Sequence, residues 1–261
     1  MNYRFCAKTD PGRTRGNNED SVAYDEATLT AILADGMGGY NAGEIASGMA
    51  TAFIKSELGR WLLEAGNSAS MSEVRRAMEI CVSNANLSIF NSANFNASYA
   101  GMGTTLAMMI FRQSHVLVGH IGDSRCYRMR QGILSQLTKD HSLLQEQIDA
   151  GLVSPEQAST STIKNLVTRA LGVDDTVILD VNEYAVEVGD LYLLCSDGLS
   201  DMLEDEAIAK ILASETDPEL AAAQLIDAAN ANGGRDNISV LLVEVKAGAE
   251  KRGLIARLLG K

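Results

Sequence analysis

Leu29-Thr30-Ala31-Ile32-Leu33-Ala34-Asp35-Gly36 is a short, nearly unbroken apolar run that stops at an aspartate and a glycine. Such a run reads as a buried strand ending in a turn. The same design recurs as Ile121-Gly122-Asp123-Ser124 and as Cys195-Ser196-Asp197-Gly198. A fourth acid, Asp236, stands in Gly233-Gly234-Arg235-Asp236-Asn237, just before the strand-like run Ile238–Val245.

Working outward from 29–36, a helix is expected over Ala42–Ala65, where Ile45, Met49, Phe53 and Trp61 recur near helical period. Ser70-Met71-Ser72-Glu73 is a capping box that announces a second helix burying Val74, Ala77, Met78, Cys81 and Ala85. Thr104–Phe111, His115–Ile121 and Arg125–Met129 are strand-like runs between short polar turns, which predicts an antiparallel meander. From Leu137 to Leu171 the chain is more polar and irregular and reads as a flap, with Ser154-Pro155-Glu156-Gln157 marking a short helix start. Strands return at Val177–Glu183 and Asp190–Cys195, followed by helices around Asp205–Ala213 and Pro218–Asn230.

Strands therefore cluster and helices come in pairs. This points to an α+β fold in four layers, α-β-β-α: two antiparallel sheets packed together with a helix pair outside each. One domain is expected over residues 1–248, with the flap at about 139–171, followed by a basic amphipathic tail at 249–261. In that tail Leu254, Ile255, Leu258 and Leu259 alternate with Arg252, Arg257 and Lys261, the pattern of a frayed end or of a docking helix.

The 261 residues carry 22 lysines and arginines against 34 aspartates and glutamates, a formal net charge of −12, so a nucleic-acid partner is not expected. Much of that acidity is ordinary solubilising surface. Cys6, Cys81, Cys126 and Cys195 have neither disulfide-framework nor zinc spacing and read as reduced, mostly buried thiols. No run reaches membrane-spanning length and the first twenty residues lack a signal-peptide core, so a cytoplasmic protein without stable membrane insertion, acting as a monomer, is expected.

Each Asp-Gly pair taken alone could be a simple turn. Four acids at strand ends, with Glu19 and Asp20 following Arg15 in Arg15-Gly16-Asn17-Asn18-Glu19-Asp20, are harder to place on a solvated surface. Aspartates held together repel one another unless a cation lies between them, and all-oxygen ligation selects magnesium or manganese. Glycine beside the acid frees a backbone carbonyl to face the ion, and arginine is the planar fork that holds phosphate.

Read in order, RGNNED (15–20), DGMGG (35–39), GMGTT (101–105), GDSR (122–125), CSDGLSD (195–201) and GGRDN (233–237) resemble the successive motifs of the metal-dependent PPM family, the type 2C protein phosphatases. The match spans nearly the whole chain and is similar to the compact bacterial members. The resemblance implies a β-sandwich flanked by helix pairs and two manganese or magnesium ions, with a third in bacterial members. It implies that Asp35 bridges two ions, that Gly36 gives a carbonyl, that Asp197 and Asp236 complete one ion, and that Glu19 and Asp20 serve the other. Arg15 would hold the substrate phosphate, and Asp123 with Asp197 would take the third ion. Where some members carry a histidine thought to protonate the leaving group, this chain has Met37, which leaves as acid a metal-bound water or another residue, His141 in Lys139-Asp140-His141-Ser142 being one candidate.

The activity so implied is hydrolysis of phosphoserine and phosphothreonine in proteins by a metal-bridging hydroxide, with a eukaryotic-like serine/threonine kinase as the opposing partner. No cysteine is followed six residues later by arginine, and no Asp-x-Asp or Gly-x-Ser-x-Gly motif offers a covalent nucleophile. Two other readings are a non-catalytic phosphoprotein-binding module, whose mark would be lost metal ligands, and a hydrolase of small phosphate esters.

Overall fold

The computed structural model describes residues 1–38, 42–153 and 166–248. Among these the strands are β1 (Asn2–Asp10), β2 (Asp20–Asp25), β3 (Thr30–Met37), β4 (Gly103–Thr104), β5 (Leu106–Arg112), β6 (His115–Ile121), β7 (Arg125–Arg130), β8 (Ile133–Gln136), β9 (Asp180–Ala185), β10 (Leu191–Cys195) and β11 (Ile238–Lys246). The helices are α1 (Gly43–Ala65), α2 (Met71–Phe95), α3 (Leu143–Asp149), α4 (Asp197–Ser200), α5 (Asp205–Ser214) and α6 (Pro218–Ala231).

Strand β3 explains the layering. Its side chains alternate across the sheet, and both faces are covered, which is why the run is apolar without interruption. Ala31 and Leu33 join Phe5, Phe111, Tyr192 and Val243 between the sheets, while Ile32 and Ala34 pack with Ile54, Met78 and Ile89 of α1 and α2. A third core lies outside the other sheet, where Leu193, Val240 and Leu242 meet Ile208, Leu212 and Leu225 of α5 and α6. Three apolar layers between four structural layers give the expected α-β-β-α sandwich. One sheet is ordered β1-β11-β10-β7-β8 and the other β2-β3-β5-β6-β9, with β4 paired to β3, and the pairings are antiparallel.

Local expectations are corrected at several points. β5 and β6 form a hairpin, but β7 leaves that sheet and pairs with β10 in the other, so the three runs are not a meander. The crossing is made at Gly122, whose φ of +98° turns the chain between the layers. The stripe α1 buries most deeply is Ala46, Ala50, Ile54, Leu58 and Leu62; Ile45, Met49, Phe53 and Trp61 are only partly buried. An apolar periodicity repeated on more than one stripe does not say which faces the sheet, and the alanines permit the closer approach. Ala77 is likewise half-buried.

The capping box of α2 is made: Ser70 Oγ accepts the Glu73 N–H at 3.3 Å, and Ser70 N–H donates to Glu73 Oε2 at 2.8 Å. β3 does not turn at Asp35-Gly36 but runs through to Met37. The strand expected over Val177–Glu183 begins at Asp180. β1, β2, β8 and α4 carry no expectation from periodicity; β1 is an edge strand whose Arg4 and Lys8 mask its alternation. The four cysteines are free and buried. The helix start at Ser154 and the tail 249–261 lie outside the described residues.

Candidate active site

The acids converge because two sheets end at one place. In the β2–β3 ladder Asp20 lies directly opposite Asp35. From the same sheet, the turn after β6 brings in Asp123. The other sheet contributes Asp197, the first residue of α4 after β10, and Asp236, just before β11. A cleft of about 320 Å³ opens here, with Glu19, Asp35, Asp123, Asp197 and Asp236 in its wall. Arg15, Gly36, Met37, Gly38, Thr105 and Val167 complete the lining. Asp20 is not part of that wall and sits behind it, its Oδ2 accepting the Ser196 hydroxyl at 2.8 Å. Gly36 admits no side chain: a Cβ would stand 2.1 Å from the Gly43 carbonyl oxygen and 2.5 Å from that of Glu19.

Polar side chains that the sequence reading passed over fix this arrangement. Asn237, 4% exposed, donates to Pro11 O (3.1 Å) and Asn17 O (2.9 Å) and accepts the Glu19 N–H (2.8 Å), tying the Arg15–Asp20 segment to the Asp236 loop. Thr105 Oγ1 accepts the Asp35 N–H at 3.0 Å and shares a hydrogen bond with Ser124 Oγ at 2.7 Å. Thr105 and Asn237 close the motifs GMGTT (101–105) and GGRDN (233–237), which carried the resemblance without giving either residue a role; Val167 carried no local signal. Arg15 Nη2 holds Asp236 Oδ2 at 2.7 Å and remains about half exposed.

The electrostatics are those of an anionic cage. Burial, then the charges of Asp20, Asp197, Asp123 and Asp236, push the Asp35 carboxyl well above the usual range. Burial, then Asp123 and Asp236, do the same to Asp197. Burial raises Asp20 to about 6 against the hydroxyls of Ser239 and Ser196, and burial followed by Asp140 raises Asp123 to about 6. Glu19 is raised by burial and by Glu44. Asp20 Oδ1 is buried with no hydrogen-bond partner. Such a set of oxygens fits a hard divalent cation, which would let every carboxylate ionise.

A consequence follows for stability. A carboxylate with a raised folded-state pKa binds more protons folded than unfolded, so stability falls as pH rises from about 4 through the raised values. In chelator the melting temperature is expected to be higher near pH 5 than near pH 8, and excess manganese should remove the difference. His141, held below its ordinary pKa by burial and by His120, acts in the opposite sense but is one group against five. A chelated protein equally stable at both pH values would contradict the cage.

His141, one candidate for the acid, lies away from the cleft wall. It is 7% exposed and does not line the cleft; its Nδ1 accepts the Gly122 N–H at 3.1 Å and its Nε2 faces Asp180 Oδ2 at 3.3 Å. Met37 does line the cleft and has no proton to give.

Residues 13–228 match the family described as Protein phosphatase 2C. The chain is 38% identical over 240 residues to the serine/threonine phosphatase stp of Listeria innocua, covering 91% of this chain and 94% of that one. Among solved structures it is similar to the serine/threonine phosphatase Stp1 of Staphylococcus aureus, with a TM-score of 0.87 and 31% identity over 95% of this chain and 96% of that one. It is also similar to the catalytic domain of the serine/threonine protein phosphatase PstP in complex with two manganese ions, with a TM-score of 0.80 and 35% identity over 94% and 99%.

Proposed function

The chain belongs to the protein phosphatase 2C family and is a serine/threonine protein phosphatase, and from that premise we propose how this cleft performs the reaction and on what. The substrates are phosphoserine and phosphothreonine side chains of other proteins. Two manganese or magnesium ions would be held by Asp35 together with the Gly36 carbonyl, Asp197 and Asp236 for one and Glu19 and Asp20, directly or through water, for the other; Asp123 and Asp197 would hold a third. When bound, such ions would supply an activated water near neutral pH and neutralise charge on the phosphoryl oxygens. The observation that carries this reading is five carboxylates from two sheets around one cleft, with an arginine at its rim.

The protein's own groups do the rest. Arg15 swings from Asp236 to the incoming phosphate, offering a planar fork to two of its oxygens. Met37 and Val167 line the same cleft and restrict water beside the ester. With His141 engaged elsewhere, protonation of the leaving alkoxide falls to water in the cleft. Residues 1–248 act as one catalytic domain, with 139–171 as the flap that selects substrates, and the protein works as a cytoplasmic monomer opposing a serine/threonine kinase. No helix among the described residues is long and apolar enough to cross a membrane.

The test is hydrolysis of a phosphothreonine peptide and of a small aryl phosphate, each with manganese and with chelator. Manganese-dependent release from the peptide is expected; turnover of the aryl ester alone would transfer the assignment to small phosphate esters, and no turnover of either would leave a binding module. Arg15→Ala is expected to raise KM for the peptide by about 10–100-fold with a smaller change in kcat. An unchanged KM would remove Arg15 from the phosphate site.

A further inference from the structure

His120, His141 and Asp180 form a group beside the acid cleft that the reaction above does not use. The two imidazoles stack with centroids 4.6 Å apart and planes at 21°. One donor atom from each of the three residues lies within 4.8 Å of the others, the spacing of a metal site. Two observations argue against an ion there. His141 Nδ1 accepts a backbone N–H from Gly122, so the ring proton sits on Nε2, the nitrogen that faces Asp180. Arg169 Nη1 already stands 3.3 Å from Asp180 Oδ1 and 3.4 Å from His141 Nε2, so the group holds its own cation.

We propose instead that His141 is a positioning residue for Asp123: it clamps the Gly122–Asp123 turn from two sides and so keeps the Asp123 carboxylate in the cleft. The inference rests on the reading of Asp123 as the ligand of the third, weaker ion. The clamp is reciprocal. Gly122 N–H donates to His141 Nδ1, and His141 N–H donates to Gly122 O at 2.9 Å. Gly122 has no side chain with which to lock itself, and one could not be added, because a Cβ would meet Thr105 Cγ2 at 2.7 Å. On its C-terminal side the turn is tied by Ser124 Oγ to Thr105 Oγ1 at 2.7 Å; on its N-terminal side Gly122 offers only backbone groups, and His141 engages both.

The surrounding residues set the ring for that task. Asp180 accepts the Nε2–H and so selects the tautomer whose Nδ1 lone pair meets Gly122. His120, 2% exposed, donates its Nε2–H to Lys139 O at 2.8 Å and fixes the plane on which His141 stacks. On the far side His141 O accepts the Thr168 N–H at 2.8 Å, next to Val167 in the cleft wall. One residue thus couples the Asp123 turn to Thr168, next to Val167 in the cleft wall.

The test counts manganese ions by electron paramagnetic resonance titration of the full chain, which reads binding without turnover. Wild type is expected to show tight sites plus one weak class, and Asp123→Asn to lose the weak class. His141→Leu should weaken that class about 10–100-fold, the usual cost of losing a residue that orients a ligand, and leave the tight sites unchanged. His141→Asn, whose Oδ1 can take the place of Nδ1, should restore the weak class to within about threefold of wild type. Should His141→Leu not fold, Asp180→Ala, which removes the acceptor of the Nε2–H, carries the test, with a smaller weakening expected. A weak class unchanged in His141→Leu, or in Asp180→Ala, while lost in Asp123→Asn, overturns the clamp and leaves the metal reading standing. A weak class that survives Asp123→Asn overturns both.

Discussion

Asp35→Asn is expected to lower manganese-dependent turnover of a phosphopeptide by on the order of 10²–10³-fold while the protein remains folded. Its carboxylate faces the cleft among Asp20, Asp197, Asp123 and Asp236, and in the proposed site it is the oxygen pair shared by two ions. Asparagine keeps the shape and one oxygen but loses the charge that makes the position worth occupying. The sign of the stability change separates this account from a structural one. In chelator, Asp35 and its four acidic neighbours repel across a partly buried space, and removing one of the strongly perturbed charges relieves that repulsion. The chelated Asp35→Asn protein should therefore melt above chelated wild type, and it should gain less from added manganese. This is the stability given up to build the site. Wild-type-like turnover would remove Asp35 from the metal site, and a lowered melting temperature in chelator would show that it holds the fold instead.

The largest stability effect lies away from the site. Asp190 is 1% exposed. Its carboxylate receives Arg130 Nε and Nη2, both at 2.7 Å, together with the Tyr192 hydroxyl at 3.1 Å and the Glu187 N–H at 2.8 Å. Asp190→Ala takes from Arg130 its bidentate partner, leaving it Glu187 and the Ala185 carbonyl, and unpairs a buried phenol on β10, which should cost about 3–5 kcal/mol. For a chain of this size that lowers the melting temperature by roughly 6–20 °C, measured by calorimetry with manganese present. The hydrogen bonds and Arg130 outweigh the opposing effect of burial and hold the Asp190 pKa below the usual carboxylate value. The contribution of this knot is thus present above about pH 4 and lost as pH falls through the depressed folded value. Its sign is opposite to that of the cleft acids. A change below 1 kcal/mol would show that water replaces the carboxylate without penalty.

Much of the site could be read from the chain because ligand acids come with local chemistry. An apolar strand running into Asp35-Gly36, Asp123-Ser124 or Asp197-Gly198 is visible in a handful of residues, and so is the capping box at Ser70. Thr105, Asn237 and Val167 could not be read in the same way, since their partners lie far along the chain: Asp35 is 70 residues from Thr105, and Glu19 is 218 from Asn237. His141 shows the same limit. It was singled out as a possible acid, and only its reciprocal bonds to Gly122 show it engaged in holding a turn.

By itself the sequence determined that strands end in acids, that helices come in pairs, and that the layers number four, because period, capping and runs covered on both faces are properties of neighbouring residues. It did not determine which sheet receives β7, which stripe of α1 faces β3, or that Asp20 stands behind the cleft rather than in it. Those depend on which of several equally apolar surfaces pack closest and on ladder register across the sheets. That competition is settled only when the whole chain is buried together.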